Sequence, residues 1–192
     1  MKRISLMTVI CIVMLAACNN NAKQPNISSD TATTTPATST ETAVQPQPSS
    51  PVKEIVSGYL QLKNALTGDN DKEAAAAGNT MVTAFEKIDK STLSAENKKT
   101  YEDIEADAKE HAEHIGKNQG NIKHQREHFD MLSKDIYELV KTFGAGQSLY
   151  YDHCPMYNNN KGANWTSEKK EISNPYFGKE MPTCGSVKEE LK

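Results

Sequence analysis

The sequence predicts an all-α domain, a slim up-down four-helix bundle that carries an irregular, aromatic- and turn-rich C-terminal lobe. Three observations support this class. Apolar residues recur at spacings of three and four between residues 52 and 143, glycines follow the first, third and fourth periodic segments, and turn-forming residues accumulate after Gly146. Several apolar positions are alanines, so we expect the bundle to be thin.

Four helices are predicted, at residues 52–66, from 71 onwards, from 94 onwards and at 121–143. Gly116 and Gly120 bracket the turn between the last two helices, which makes these helices antiparallel neighbours. The inward stripes of the four helices begin with the apolar pairs Val52 and Ile55, Ala74 and Ala77, Tyr101 and Ile104, and Ile122 and Phe129.

Residues 147–192 have a different character. The run Leu149-Tyr150-Tyr151 predicts one short strand, and the rest is rich in Asn, Gly and Pro. We expect this lobe to pack on the bundle of residues 52–146 as part of one domain, through aromatic rings such as Trp165. A loop of this length inside a compact domain usually has a function or needs a covalent staple.

The N-terminus predicts export and lipid attachment. Lys2 and Arg3 precede a short apolar run, and the sequence Leu15-Ala16-Ala17-Cys18 resembles the bacterial lipoprotein box. This resemblance implies that residues 1–18 are a signal peptide and that Cys18 is lipidated, which would anchor the protein to a membrane. Asn19 in place of Asp favours the outer membrane. The alternative is an ordinary signal peptide in which Cys18 is incidental.

Composition narrows the remaining classes of function. Residues 19–51 are dominated by Ser, Thr, Pro, Asn and Ala, which predicts a disordered tether. The net charge is −3 and no basic stripe is present, so nucleic acid is not an expected partner. No nucleophile–base pair or nucleotide-binding motif is discernible, so we do not expect an enzyme.

Two clusters near the C-terminus predict a sulfur-ligated metal site. Cys154 and Met156 lie two residues apart, and Met181 and Cys184 lie three apart. Thiolate and thioether ligands favour soft ions, above all monovalent copper. His153 is an additional candidate ligand, although a surface role fits it as well. The competing interpretation is a Cys154–Cys184 disulfide in an oxidising compartment.

A second, weaker candidate site lies on the helices. His124 and His128 are four residues apart and share one face, and His111 lies on the inward stripe of the third helix. Three imidazoles would suit zinc or divalent copper. A solvated face explains these residues equally simply because charged residues surround them, and His114 is expected to point elsewhere.

Several segments together resemble a bacterial family of domains of unknown function over roughly residues 52–190. The residues that carry the resemblance are Cys154-Pro155-Met156, Asn159-Asn160-Lys161-Gly162-Ala163, Trp165, Asn174-Pro175-Tyr176-Phe177-Gly178, Met181 and Cys184-Gly185, together with Gln125-Arg126 on the last helix. Members of this family occur as lipoproteins or fused to the C-terminus of periplasmic adaptor subunits of heavy-metal efflux pumps. The resemblance implies a periplasmic helical domain associated with copper or a related metal.

These observations lead to one leading hypothesis. The chain is expected to be a periplasmic lipoprotein that binds a soft heavy metal as a buffer or chaperone, with the membrane and a heavy-metal efflux complex as partners. The alternative is a structural or interaction domain stapled by a disulfide. In either case Arg126 is expected to hold the lobe by pairing with a carboxylate such as Glu171.

Overall fold

The four predicted helices are present in the computed structural model, which describes residues 50–192. They are α1 (Lys53–Thr67), α2 (Asp71–Glu86), α3 (Ala95–Lys117) and α4 (Ile122–Phe143). The predicted signal peptide, the lipidation site Cys18 and nearly all of the predicted tether lie outside the described residues. None of the helices within residues 50–192 is both long enough and apolar enough to cross a membrane.

Side-chain caps begin three of these helices. The side chains of Asn70, Ser94 and Asn121 each accept a hydrogen bond from a backbone N–H in the first turn of α2, α3 and α4. Such a cap satisfies one of the backbone donors that a helix start leaves without a partner. The short connections between successive helices reverse the chain, so each helix packs against the next and α1 also contacts α4.

Gly78 sets how closely α2 approaches α3. A Cβ atom at this position would lie 2.7 Å from the carbonyl oxygen of Ala112 and 3.0 Å from the backbone nitrogen of Gly116. Only glycine therefore permits this separation between the helices. The alanines Ala74, Ala108 and Ala112 are also buried in the same core, as expected for a thin bundle.

The lobe is irregular only in part, and the all-α class needs correction. It contains three strands, β1 (Leu149–Cys154), β2 (Ala163–Ser167) and β3 (Ser186–Leu191). They form an antiparallel sheet in the order β2-β1-β3, with Tyr151 opposite Thr166 on one side and Glu189 on the other. Most of the turn formers that predicted irregular structure lie between the strands, although Asn164 lies within β2, so the number of turn formers obscured two short strands.

One continuous hydrophobic core joins the sheet to the bundle. Trp165 on β2 and Leu191 on β3 are buried in the same cluster as Phe129 on α4. The Tyr59 hydroxyl of α1 lies 2.8 Å from the Ser133 hydroxyl of α4 and accepts a hydrogen bond from the Thr166 backbone N–H of β2. The Tyr59 hydroxyl thus connects α1, α4 and β2, and its buried oxygen has hydrogen-bond partners.

Two cations support the same interface. The Lys63 ammonium is buried and lies 2.7 Å from the Glu168 carboxylate at the end of β2. Arg126 of α4 pairs with Asp69 at 2.6 Å and also donates to the carbonyls of Leu66 and Pro175. Arg126 therefore does hold the lobe, but its carboxylate partner is Asp69, in the α1–α2 turn, and the expected pairing with Glu171 is wrong.

Candidate metal centre

Four histidines cluster on the α3–α4 seam. His114, His124 and His128 each offer a ring nitrogen, and these three atoms lie within 4.8 Å of one another. His111 joins them because its Nδ1 lies 3.2 Å from Nδ1 of His128. We refer to His111, His114, His124 and His128 as the histidine cluster.

The cluster follows from the local fold of the two helices. Asn121 caps α4 directly after the turn that reverses the chain, so the last turns of α3 lie beside the first turns of α4. His124 and His128 are one helical turn apart on one face of α4, and His111 and His114 are three residues apart on α3. The fold thereby brings all four side chains to the same seam.

The rings lie in close contact. The His114 and His128 rings stack with centroids 4.3 Å apart, and the His124 ring meets the His128 ring edge-on at 4.6 Å. A carboxylate oxygen of Glu127 lies 3.3 Å from Nδ1 of His124. A carboxylate beside a ligating histidine fixes its ring orientation and raises its basicity, which is a common feature of metal sites.

Burial favours the neutral form of two of these histidines, His111 and His128. Burial, together with the neighbouring imidazoles of His114 and His124, lowers the pKa of His128 to about 4. Burial likewise lowers the pKa of His111. Neutral imidazole is the form that binds metal, so these shifts keep the lone pairs available.

The structure brings together the three histidines that the sequence named as a second candidate site. The predicted trio His111, His124 and His128 does come together, but the expectation that His114 points elsewhere is wrong. His114 lies three residues after His111 and therefore also faces α4, since residues three apart are neighbours on a helix surface. That spacing was the signal that would have identified His114.

The two cysteines of the lobe also meet. The Sγ atoms of Cys154 and Cys184 lie 3.3 Å apart, and the two thiols are not bonded to each other. Cys154 ends β1 and is fully buried, whereas Cys184 is partly exposed. The Asn174 side chain donates to the Cys184 carbonyl at 2.7 Å and so fixes the approach of the second thiol. The hydrogen bond to Cys154 raises the pKa of the Cys184 thiol.

The other predicted sulfur ligands have separate surroundings. Met156 is exposed and lines a groove beside α4, and neither Met181 nor either cysteine lines that groove. Met181 is partly exposed at the end of a short helical turn. His153 bonds Asn164 on the neighbouring strand at 2.8 Å. The site of four sulfur ligands and His153 thus stays a prediction. Of its proposed ligands, the structure brings together only the thiols of Cys154 and Cys184.

Comparison with known proteins gives one match. No curated protein and no solved structure matches the chain. One family model matches residues 55–148, which include most of the four helices and end just before β1. The motif residues of the lobe lie beyond this range, so the lipoprotein and efflux associations stay predictions. The match supports placing the helical region in a family of domains described as "Protein of unknown function (DUF3347)".

Proposed function

We propose that this chain is a non-enzymatic, lipid-anchored metal-binding domain that binds divalent copper or zinc through the histidine cluster. The observation that carries the proposal is the convergence of three imidazole nitrogens within 4.8 Å, with a fourth imidazole in hydrogen-bond contact. A buffer or chaperone that hands metal to an efflux system is the role that fits such a site.

The donor set favours these two ions. Imidazole suits copper, zinc, iron and nickel, and divalent copper binds a given nitrogen site most tightly in the first transition series. Zinc accepts three histidines with a fourth position left open. All four rings are partly exposed, so an ion would reach the site from solvent and leave it again, as a buffer requires.

His111 is best suited to a supporting role. Two Nδ1 atoms 3.2 Å apart share one proton, so either His111 donates to His128 or the reverse. When His128 is the donor, its Nδ1 carries the proton and its Nε2 keeps the lone pair that a metal needs. A hydrogen bond on the second ring nitrogen orients a histidine ligand and is typical of metal sites.

The proposed localisation rests on the N-terminal segment, and the proposed protein partner rests on the resemblance of the lobe motifs. Leu15-Ala16-Ala17-Cys18 supports lipid attachment on the periplasmic side of the cell envelope, with the outer membrane as the proposed location. An efflux complex is the proposed protein partner. In the same compartment the paired thiols of Cys154 and Cys184 would take monovalent copper when reduced.

A metal titration tests the proposal. We expect the full chain in detergent to bind one equivalent of Cu²⁺ or Zn²⁺, and His124→Ala with His128→Ala to weaken binding about 100-fold or more. The chain has five histidines, and His153 lies outside the cluster, so His153→Gln is a matched control that should bind normally. Equal losses in both variants, or no binding by the unchanged protein, would overturn the proposal.

The second candidate is a structural or interaction domain stapled by a disulfide. The 3.3 Å separation of the Cys154 and Cys184 sulfurs favours it, because a small movement would allow the bond to form. A Cys154–Cys184 disulfide would close a loop of 30 residues. In the chain-entropy model, such a closure adds about 3–4 kcal/mol to the free energy of unfolding. Protein from an oxidising extract should then lack free thiols and melt at a lower temperature after reduction, and Cys184→Ala should abolish that difference. Free thiols in such an extract would contradict the staple.

A further inference from the structure

An open groove of about 760 Å³ lies between α4 and the turn that follows β1. Its walls include the side chains of Lys123, Glu127, Asp130, Met131, Lys134 and Met156. The first five belong to α4 and the last to the turn. The groove therefore lies on the side of α4 next to the face that carries His124 and His128.

Two exposed methionines face this groove. Met131 is 38% exposed and Met156 is 45% exposed, and within residues 50–192 they are the large hydrophobic side chains left open to solvent. A methionine is usually buried as a flexible filler of the core, as Met81 is here. Neither groove methionine has that role, so their thioether sulfurs are available to a ligand.

A buried carboxylate accompanies the thioethers. Asp130 lines the groove, is only 8% exposed, and its buried Oδ1 has no hydrogen-bond partner among the described residues. The Lys134 ammonium lies 3.7 Å away from this oxygen and pairs with it only loosely. A buried acceptor without a hydrogen bond is costly, and a bound cation would satisfy it.

Hydrogen bonds and ring stacking hold the turn at residues 156–160, which carries Met156, against the rest of the lobe. The Met156 carbonyl accepts a hydrogen bond from the Asn160 backbone N–H, and the residues Asn158 to Asn160 have φ between 54° and 62°. Asn tolerates this left-handed conformation better than most residues. The ring of Tyr157 stacks on Tyr176 at 4.3 Å, which attaches the turn to the core. The backbone of Met156 is thus held in place while its side chain remains exposed.

We propose that Met131 and Met156 bind a monovalent soft cation, Cu⁺ in the cell, in this groove, with the Asp130 carboxylate offsetting its charge. Thioether sulfur is a soft, neutral ligand that selects monovalent copper over zinc. Met131 follows His128 by three residues on α4, so the groove adjoins the histidine cluster. The site uses none of the histidines and neither cysteine, so it stands or fails independently of the divalent site proposed above.

Silver titration of the full chain in detergent tests this site, with Ag⁺ as an air-stable probe and methyl-labelled methionine as the NMR reporter. A Cys154→Ala, Cys184→Ala background removes the two competing thiols of the lobe. We expect the Met131 and Met156 methyl signals to shift together and saturate at one equivalent. Met131→Leu or Met156→Leu should each weaken Ag⁺ binding about ten-fold or more, and Met181→Leu is the matched control without effect.

Each other outcome overturns the site. If the methyl signals of Met156 and Met181 shift together while the Met131 signal is unchanged, the metal binds at the lobe and not in the groove. If no methionine signal moves, the exposed thioethers bind nothing. The methyl signal of the buried Met81 reports whether the protein without the two lobe cysteines is folded. If that variant is unfolded, the same methionine signals are followed in the unchanged chain while two equivalents of Ag⁺ are added. Loss of Cu²⁺ binding in the histidine variants is measured separately, so failure of one site is distinguishable from failure of the other.

Discussion

At the scale of single residues, burial decides the chemistry of the groups that titrate. His128 is neutral because its ring is partly desolvated among other imidazoles. Asp152 on β1 is fully buried, and both its carboxylate oxygens lack a hydrogen-bond partner among the described residues. Burial raises the pKa of Asp152 to about 7, although the Lys63 cation opposes the shift. The two residues therefore give opposite pH dependences of stability.

The lowered pKa of His128 predicts acid sensitivity. Between about 4 and the ordinary value of 6.5, the unfolded state binds the proton and the folded state does not. The free energy of unfolding should therefore rise as pH increases through this window. Imidazole NMR should find His128 titrating near pH 4, and His128→Gln should reduce the pH dependence of unfolding between pH 4 and 6.5. An ordinary titration near 6.5 would contradict the burial argument.

Asp152 predicts the reverse dependence. Its folded pKa of about 7 exceeds the ordinary value of 3.8, so the folded state holds the proton between these values. Stability due to this group is present below pH 3.8 and is lost as pH rises through 7. Asp152→Asn should therefore raise the free energy of unfolding at pH 8 by about 4 kcal/mol, and by much less at pH 4, as measured by chemical denaturation. Glu138→Gln, on the exposed side of α4, is the control, and no gain at pH 8 would contradict the prediction.

At the scale of elements, the bundle depends on small residues that let its helices approach. Gly78 brings α2 close to the end of α3, the part of α3 that carries His111 and His114. The lobe depends on strand pairing, since β1 is hydrogen-bonded to a strand on each side. The turn between β1 and β2 uses residues with left-handed backbone conformation, such as Asn158 and Gly162. Helix separation and strand pairing are thus controlled by different residues.

Gly78→Ala should separate α2 from α3. The added methyl would meet the backbone of Ala112 and Gly116, which cannot move aside without shifting α3. Overpacking of this kind typically costs about 1–3 kcal/mol, measured as a lower midpoint of chemical denaturation. Gly68→Ala is a matched control because its Cβ would make only ordinary contacts, at 3.5 Å and 3.6 Å, and its φ of −85° suits alanine. Equal effects at both positions would show that close packing is not the cause.

At the scale of the whole molecule, the lobe and the bundle share one core and a few polar connections. Arg126 contacts the end of α1, the α1–α2 turn and the segment before Tyr176 at once. The guanidinium suits this position because its several donors point in fixed directions. Its pairing also holds the pKa of the Asp69 carboxyl below the usual value.

Replacing Arg126 should loosen the attachment of the lobe. Arg126→Lys keeps the charge, but a single ammonium cannot reach Leu66, Asp69 and Pro175 together. We expect a loss of about 2 kcal/mol in the free energy of unfolding, with faster hydrogen exchange in the residues around Pro175. Lys134→Arg, an exposed change on the same helix, should have little effect. Unchanged exchange near Pro175 would show that the shared core alone holds the lobe.

The sequence by itself determined the helical part of this protein. Helix positions follow from the spacing of apolar residues three and four apart and from capping residues such as Ser94. Both signals lie within short stretches of sequence, so no tertiary information is needed to recognise them. The α3–α4 turn was also legible, so the meeting of His111 with His128 could be expected from spacing alone.

Only the tertiary structure decided the sheet and the partner of Arg126. β3 pairs with β1 across more than thirty residues, and no local pattern specifies such a pairing. Asp69 reaches Arg126 because the bundle brings the α1–α2 turn beside α4. The Cys154 and Cys184 thiols meet, while Met156 lies on a separate groove, because strand direction and the left-handed turn decide where each side chain points.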